Sequence, residues 1–483
     1  MKFDFLKEDD NSAAKAAVWY MVCQILVRGM AFLTSPIFTR LMSREDFGAV
    51  SNIFAWEAVI VPFITLNLRI SINKSKYDFP DDNDSFLASI LFFSNLVTGI
   101  VYLILECLGE SYCFDIFGIK MTYIRLLFIN IIFSTAFDYQ QLQHNIFRKY
   151  KHFVFYTIIS SVLRLLLSVA IVIIMQDKVY ARLIGGVLPT VLVNTIIFIN
   201  IYARCKAIRF KYISYAVNMS IPLLLSTMSS NILRSSDKII ISKYCGTDQT
   251  ALYSVAVTIS SIAAVLWHSM NQAWGPWLYD NLNHGNFEKI KSASLKFSSL
   301  YATLIVGLML IAPEFLYFMG GAKYIEATGA MPSVILAMVC QFFYAFYFNI
   351  EYFYGETYII SLGTLLAALL NVALNFIFIP QYGYIAASYT TLVGYMFMLL
   401  YHFSIVKFKL RKSHVFTTKY FVLVICSLFV IQFILANIYN MLYLRYALLG
   451  LYLVILTVVA IKNKETIMFF ANKLLKKNQK TTE

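Results

Sequence analysis

The 483-residue chain is 59% hydrophobic, 16% aromatic and 14% charged, with a mean hydropathy of +0.68, which excludes a soluble globular domain. Apolar stretches of the roughly 20 residues that a helix needs to cross a bilayer recur along the whole length. The formal charge of +14 is therefore weighed against membrane topology before any nucleic-acid partner, and no nucleic acid is expected.

In chain order the segments predict about fourteen transmembrane helices, at 15–39, 48–70, 86–107, 121–141, 153–175, 182–203, 214–241, 251–278, 294–318, 329–351, 357–379, 384–405, 416–438 and 441–461. The opening MKFDFLKEDDNSAAKAA lacks the uninterrupted apolar run and small-residue cleavage site of a removed signal peptide. Seven scattered cysteines without a CxxC pair give no disulfide framework. Lys and Arg in loops and tails divide roughly 25 to 8 between the two sides, the richer side holding both termini, so an even number of spans with both ends cytoplasmic is expected.

SREDFGAVS (43–51) joins the first two spans, and GTDQTALYS (246–254) joins the seventh and eighth. At an offset of 203 residues they share an acid (Glu45, Asp248), a small residue (Gly48, Ala251) and a serine (Ser51, Ser254). This faint repeat suggests two six-helix halves plus two extra helices, an arrangement transporters favour. The expected fold is an all-α polytopic membrane protein. Residues 1–205 form one pseudo-symmetric lobe, 206–405 the second around a central cavity, and 406–483 two further helices with a basic tail.

Charges within the spans are costly, about 2.5–3.5 kcal/mol each on insertion scales, and generally face a bundle interior or wet cavity. Arg28, Arg164 and Arg234 are the arginines expected to line such a cavity, while Arg69 and Arg125, nearer span ends, read as interfacial anchors. Arg234, Asp237 and Lys238 share one helix face at i, i+3 and i+4. Lys238 either joins the cavity, pairs with Asp237 or reaches the interface. The acids at comparable depth are Glu57, Asp237 and Glu351, candidates for carrying a coupling ion. Surplus guanidinium suits an anion such as pyrophosphate, which arginine meets with bidentate, charge-assisted bonds. WHSMNQAWGPWLYDN (267–281) and QFFYAFYFNIEYFYGE (341–356) supply Trp267, Asn271, Gln272 and Asn349 as candidate sugar contacts, against the ordinary tendency of aromatic residues to form interfacial belts.

Three stretches resemble a known family. NLRISINKSKYDF (67–79) is similar to the loop after the second span of polysaccharide flippases, LRSSDKIIISKYCGTDQTALYSVA (233–256) to their seventh-helix signature, and NVALNFIFIPQYGYIAASYTTLVGY (371–395) to their eleventh and twelfth helices. The chain thus resembles the Wzx-like oligosaccharidyl-lipid flippases of the multidrug/oligosaccharidyl-lipid/polysaccharide exporter superfamily. The resemblance implies translocation of an undecaprenyl-pyrophosphate-linked oligosaccharide across a bacterial inner membrane for O-antigen or capsule synthesis, among membrane lipids and the polymerase and chain-length proteins of the same pathway.

No GxxxxGK[ST], GxSxG or HExxH motif and no Cys/His metal cluster appear, so no cofactor and no enzymatic step are expected. The DxD-like Asp82 and Asp84 in PDDNDSF (80–86) read as a solvated cytoplasmic cluster rather than a glycosyltransferase metal site. A polymerase or ligase acting on the same lipid-linked sugars, and a cation or drug antiporter of the same superfamily, are the alternatives. Short loops argue against the first, and surplus basic charge against the second.

Overall fold

The computed structural model describes residue 32 and residues 34–147, 150–439 and 441–462. Arg28, with most of the first expected span, lies outside the described residues. From residue 34 the chain is helical almost throughout, as a bilayer requires: in hydrocarbon every backbone N–H and C=O has to be satisfied within its own segment.

Helical residues 34–41 lead into α1 (Arg44–Ile64), which starts where Ser43 caps the Asp46 amide at 3.0 Å. Then come α2 (Ile72–Asp78), α3 (Asn83–Leu108), α4 (Glu110–Phe117), α5 (Met121–Ile146), α6 (Tyr150–Ile174) and α7 (Lys178–Arg204). The second half holds α8 (Phe210–Cys245), α9 (Thr247–Asn283), α10 (Phe287–Leu310), α11 (Ala312–Gly320), α12 (Met331–Phe353), α13 (Thr357–Ser404), α14 (Thr418–Ile438) and α15 (Leu442–Lys462). Among the described residues, ten helices are long and apolar enough to cross a membrane. The chain is an all-α polytopic membrane protein. α8 has the length, but Arg234, Asp237 and Lys238 dilute its apolar character.

Several boundaries depart from expectation for local reasons. The expected span 48–70 stops at Ile64, because Leu66 and Asn67 both take left-handed φ of 49°, and a 3₁₀ turn, Leu68–Ser71, follows. The expected span 294–318 is broken at Ile311, where Pro313 starts the short α11. α13 joins two expected spans through a kink at Gly383 (φ 66°). A Cβ there would stand 2.5 Å from the Gln249 side-chain oxygen, which accepts the Tyr384 amide at 3.1 Å. Only glycine meets both demands.

One set of cores lies among α1–α7 and the start of α8. A larger one gathers α8–α14 around Tyr301, Phe342, Phe343 and Phe421. α1 packs across on α8 and α9, joining the two sets, and α14 and α15 lie against α10. Their outer faces carry exposed Leu423, Phe433, Tyr443 and Leu451, an apolar surface suited to lipid.

Candidate substrate cavity

α1, α5, α6 and α7 enclose a cavity of about 380 Å³ with three charged side chains on its wall, Glu57, Arg164 and Arg182. Arg164 donates to Asn130 Oδ1 at 3.2 Å, and Asn130 Nδ2 donates to Glu57 Oε1 at 2.7 Å. Arg182 donates to Ser168 Oγ at 2.9 Å and lies 4.0 Å from the centre of the Phe38 ring. Arg182 opens the expected span 182–203 and counts among the charges of the less basic side. It is in fact one turn inside α7, because Asp177 caps the helix by accepting the Tyr180 amide at 2.9 Å, four residues before the expected start. That capping aspartate was the available signal.

A second cavity, of about 650 Å³, shares Phe54 and Glu57 with the first. Its wall comes from the broken end of α1, from Thr135, Asp138 and Tyr139 on α5, and from Thr227 and Asn231 on α8. Arg69, read above as an interfacial anchor, lines this cavity instead, because the left-handed turn redirects the chain before it. Arg164 acts electrostatically on both Glu57 and Asp138, and Arg69 acts on Asp138. The joined cavities thus present Arg69, Arg164 and Arg182 against Glu57 and Asp138, a surplus of one positive charge. Asp138 escaped the sequence analysis because DYQQLQH looks like the polar end of a span, whereas α5 continues to Ile146.

The other candidates are dispersed. Arg234 is exposed on α8, its charge reaching Tyr344 and Tyr395, and neither Arg234 nor Lys238 lines the two cavities. Asp237 is 2% exposed and bound by neutral groups: the Tyr253 and Thr391 hydroxyls, and Asn375 Nδ2 at 2.6 Å. Asn371 Oδ1 extends this network, accepting from Asn375 at 3.1 Å and Ser236 at 3.2 Å. Glu351 pairs with His402 Nδ1 at 2.8 Å, both side chains fully buried. Trp267 packs edge-on against Phe342 within the core, and Asn349 is occupied by Asn271, Tyr279 and the Ala345 carbonyl. Of the four proposed sugar contacts, Gln272 alone is exposed. Buried packing, which hydropathy does not distinguish from a lining position, accounts for the rest.

The two repeat motifs meet at one end of the bundle. Arg44 forks onto Asp248, with Nε 2.7 Å from Oδ1, and also reaches Glu326 at 3.4 Å. Nearby, Lys323 Nζ donates to the Met42 carbonyl at 2.7 Å and Arg40 to the Phe318 carbonyl at 2.8 Å. At the other end, Asp82 takes the Tyr212 hydroxyl at 2.6 Å and Arg209 at 3.1 Å. Hydrogen bonds from Ser85 and Tyr212 hold the Asp82 carboxyl below the usual carboxylate range. Asp82 thus fastens the basic linker, residues 205–209 between α7 and α8, while Asp84 Oδ1 accepts from Gln143 at 3.3 Å, and among the described residues no cluster of His, Cys, Asp and Glu is suited to a metal ion.

The family model described as "Polysaccharide biosynthesis protein" matches residues 13–282. An uncharacterized membrane protein of Haemophilus influenzae is 23% identical over 372 residues, 74% of this chain and 88% of that protein. The Lsg locus putative protein 1 of the same species is 21% identical over 74% of this chain and 89% of its own length. Among solved structures, the lipid II flippase MurJ in an inward closed conformation superposes with a TM-score of 0.65 at 16% identity, covering 93% of this chain and all of that one. An inward-facing multidrug resistance transporter of the MATE family gives 0.61 at 15%, over 83% and 98%. At such identities the likeness speaks for the fold alone, and the matched stretch, more than half the chain, for the family. The chain belongs to the polysaccharide biosynthesis protein family.

Proposed function

We propose that the protein is a flippase that carries undecaprenyl-pyrophosphate-linked oligosaccharide repeat units across the bacterial inner membrane for O-antigen or capsule synthesis. The observation that carries this reading is the surplus of arginine over carboxylate in two joined cavities enclosed by the helices. A pyrophosphate cannot cross hydrocarbon unshielded. Arg164 and Arg182, on the neighbouring helices α6 and α7, offer it paired N–H donors.

In this reading fourteen helices form two six-helix lobes, residues 1–205 and 206–405, with α14, α15 and the basic tail added, and both termini are cytoplasmic. The Arg44–Asp248 contact closes the extracytoplasmic end. Parting that contact as the cytoplasmic end closes gives alternating access. Arg28, outside the described residues, is a further candidate for the same anion, and Arg234 with Lys238 receives the substrate from the second lobe. Glu57, Asp237 and Glu351 are the candidates for the coupling ion. The polymerase and chain-length proteins of the pathway receive the product.

The test is the sidedness of lipid-linked repeat units in a host deleted for this protein, probed at their sugars from the outer face. Units confined to the cytoplasmic face support translocation as the missing step. Single unextended units on the outer face would show that a polymerization step had been lost instead.

A further inference from the structure

The larger cavity differs in chemistry from the arginine-rich one beside it. α1 ends at Ile64, and the next turn is held in the left-handed region at Leu66 and Asn67, a conformation that a branched side chain such as leucine seldom adopts. Beside its backbone bonds, three side-chain hydrogen bonds hold the turn: Thr65 Oγ1 to the Val61 carbonyl at 2.7 Å, Ser94 Oγ to the Thr65 carbonyl at 3.3 Å, and Asn67 Nδ2 to Thr227 Oγ1 at 2.9 Å. The turn brings Asn67 and Arg69 to the cavity wall, where a continuous helix would have carried the chain straight on. Interrupted membrane helices of this kind mark binding positions in transporters. Facing them are Asn231 on α8 and Asp138 on α5, whose side chain is exposed to the cavity.

We infer that this larger cavity is the subsite for the substrate's glycan, a hydroxyl-rich sugar held apart from the anion. The inference rests on the flippase reading. A carboxylate repels pyrophosphate but accepts two sugar hydroxyls, and amides both donate and accept, matching the two-way character of a hydroxyl group. About 650 Å³ lies within the usual size of ligand sites, about 300–1,000 Å³. Phe54, 42% exposed at the junction, offers an apolar ring face to the pyranose that follows the pyrophosphate. With the anion between Arg164 and Arg182, the glycan extends past Phe54 and Glu57 into the larger chamber. Because Thr227 and Asn231 come from α8 while the rest of the wall comes from α1 and α5, both halves of the molecule grip the sugar, and their relative motion opens or closes the subsite.

The test uses purified full-length protein in lipid nanodiscs and two probes: undecaprenyl pyrophosphate, and lipid-linked repeat units extracted from a host deleted for this protein. The wild type is expected to bind the glycosylated probe about ten-fold more tightly, the equivalent of one or two net hydrogen bonds. Asn231→Ala should erase most of that advantage and leave the bare lipid within about two-fold, whereas Asp138→Asn should erase it and bind the bare lipid at least as tightly, because a carboxylate that repels pyrophosphate is gone. Asn231→Ser serves as the conservative second variant, with thermal unfolding confirming the fold of each. Equal loss for both probes, no loss for either, or no preference in the wild type would overturn the subsite. Failure of the wild type to bind either probe would instead overturn the flippase reading.

Discussion

Arg44 and Asp248 lie 204 residues apart in sequence, and their side chains form a two-pronged ion pair across the two halves of the molecule. Each comes from one copy of the faint sequence repeat, so the repeat is also a contact. One helical turn along, Gly48 is buried so tightly that a Cβ would stand 1.7 Å from the Thr247 carbonyl oxygen. The pair itself is partly exposed, 24% and 39%, so solvent screening limits it to about 1 kcal/mol. The glycine contact is steric and has no such limit.

Arg44→Ala is therefore expected to shift the balance toward opening at this end by roughly five-fold, and Gly48→Leu to prevent closure altogether. Spin labels on the exposed Glu45 and Ile325 would report this as a longer distance. The exchanged pair Arg44→Asp with Asp248→Arg should restore the shorter one. An unchanged distance in Gly48→Leu would contradict a gate at this contact.

The arginine cavity makes a second prediction. Charge-assisted hydrogen bonds are worth about 1.5–3 kcal/mol each, so Arg164→Ala and Arg182→Ala should each weaken binding of undecaprenyl pyrophosphate by about 10- to 100-fold. Arg164→Lys should recover only part of this, because lysine lacks the planar fork. Arg125→Ala is the control: its guanidinium is paired with Glu106 at the surface, away from both cavities. If Arg125→Ala weakened binding as much as the other two, general electrostatics rather than a site would be responsible.

What the sequence made legible follows from the physics each feature depends on. Spans were readable because a bilayer imposes length and apolarity, and Glu57 and Arg164 because charge at depth stands out against that background. The kink at Gly383 fell between two expected spans, as the proline at 380 and the glycine themselves suggest. Arg69, Asp138 and Arg182 were misplaced or overlooked because their roles depend on where a helix begins or breaks, the least legible property of a chain. Leu66 carries no turn signal at all, since tertiary hydrogen bonds hold its backbone. His402 lies 51 residues beyond Glu351, a pairing that only the packing of α12 against α13 creates.

The Asp237 network predicts a stability effect. Three donors, on Tyr253, Thr391 and Asn375, converge on a carboxylate 2% exposed. Asp237→Ala leaves the Tyr253 and Thr391 hydroxyls only each other, at 3.2 Å, and Asn375 only Asn371 Oδ1; with about 1–3 kcal/mol for a buried group left unmatched, a loss of about 1–3 kcal/mol is expected in thermal unfolding of the detergent-solubilized protein. Asp237→Asn should cost less, because its amide oxygen still accepts from Tyr253 or Thr391. Equal stability of the alanine variant and the wild type would contradict the network.

At the opposite end of the bundle the sign of a pH effect can be assigned. The Asp82 carboxyl is held below its usual range in the folded chain by Ser85 and Tyr212. A depressed carboxylate contributes above its unfolded value, about 3.9, and its contribution is lost as the pH falls through the lower, folded value. Protection factors for amide exchange in linker residues 205–209 should therefore be level through neutral pH and fall below about pH 4. In Asp82→Asn they should be lower at neutral pH and lack that acid step.

The Glu351–His402 pair gives the sharpest contrast between variants. Both side chains are fully buried at 2.8 Å, and Glu351 Oε1 and His402 Nε2 have no partner among the described residues. Tyr344 stacks on the imidazole, Tyr401 meets it edge-on, and Lys409 and Glu356 supply the nearest further charges to Glu351. Removing one partner of a buried hydrogen-bonded pair leaves the other's polar atom unmatched, at about 1–3 kcal/mol. His402→Ala should accordingly destabilize the protein by that amount, whereas His402→Ala with Glu351→Leu, which removes both polar groups, should recover most of it. Glu351→Gln keeps a hydrogen bond to the ring while removing the ionisable group. If the pair is purely structural, Glu351→Gln transports normally at every imposed proton gradient. If Glu351 carries the coupling proton, that variant stays folded and binds substrate, but its transport in proteoliposomes no longer responds to the gradient. Sodium-dependent, proton-independent transport in the wild type would remove Glu351 from the coupling candidates and leave its pairing with His402 a matter of stability alone.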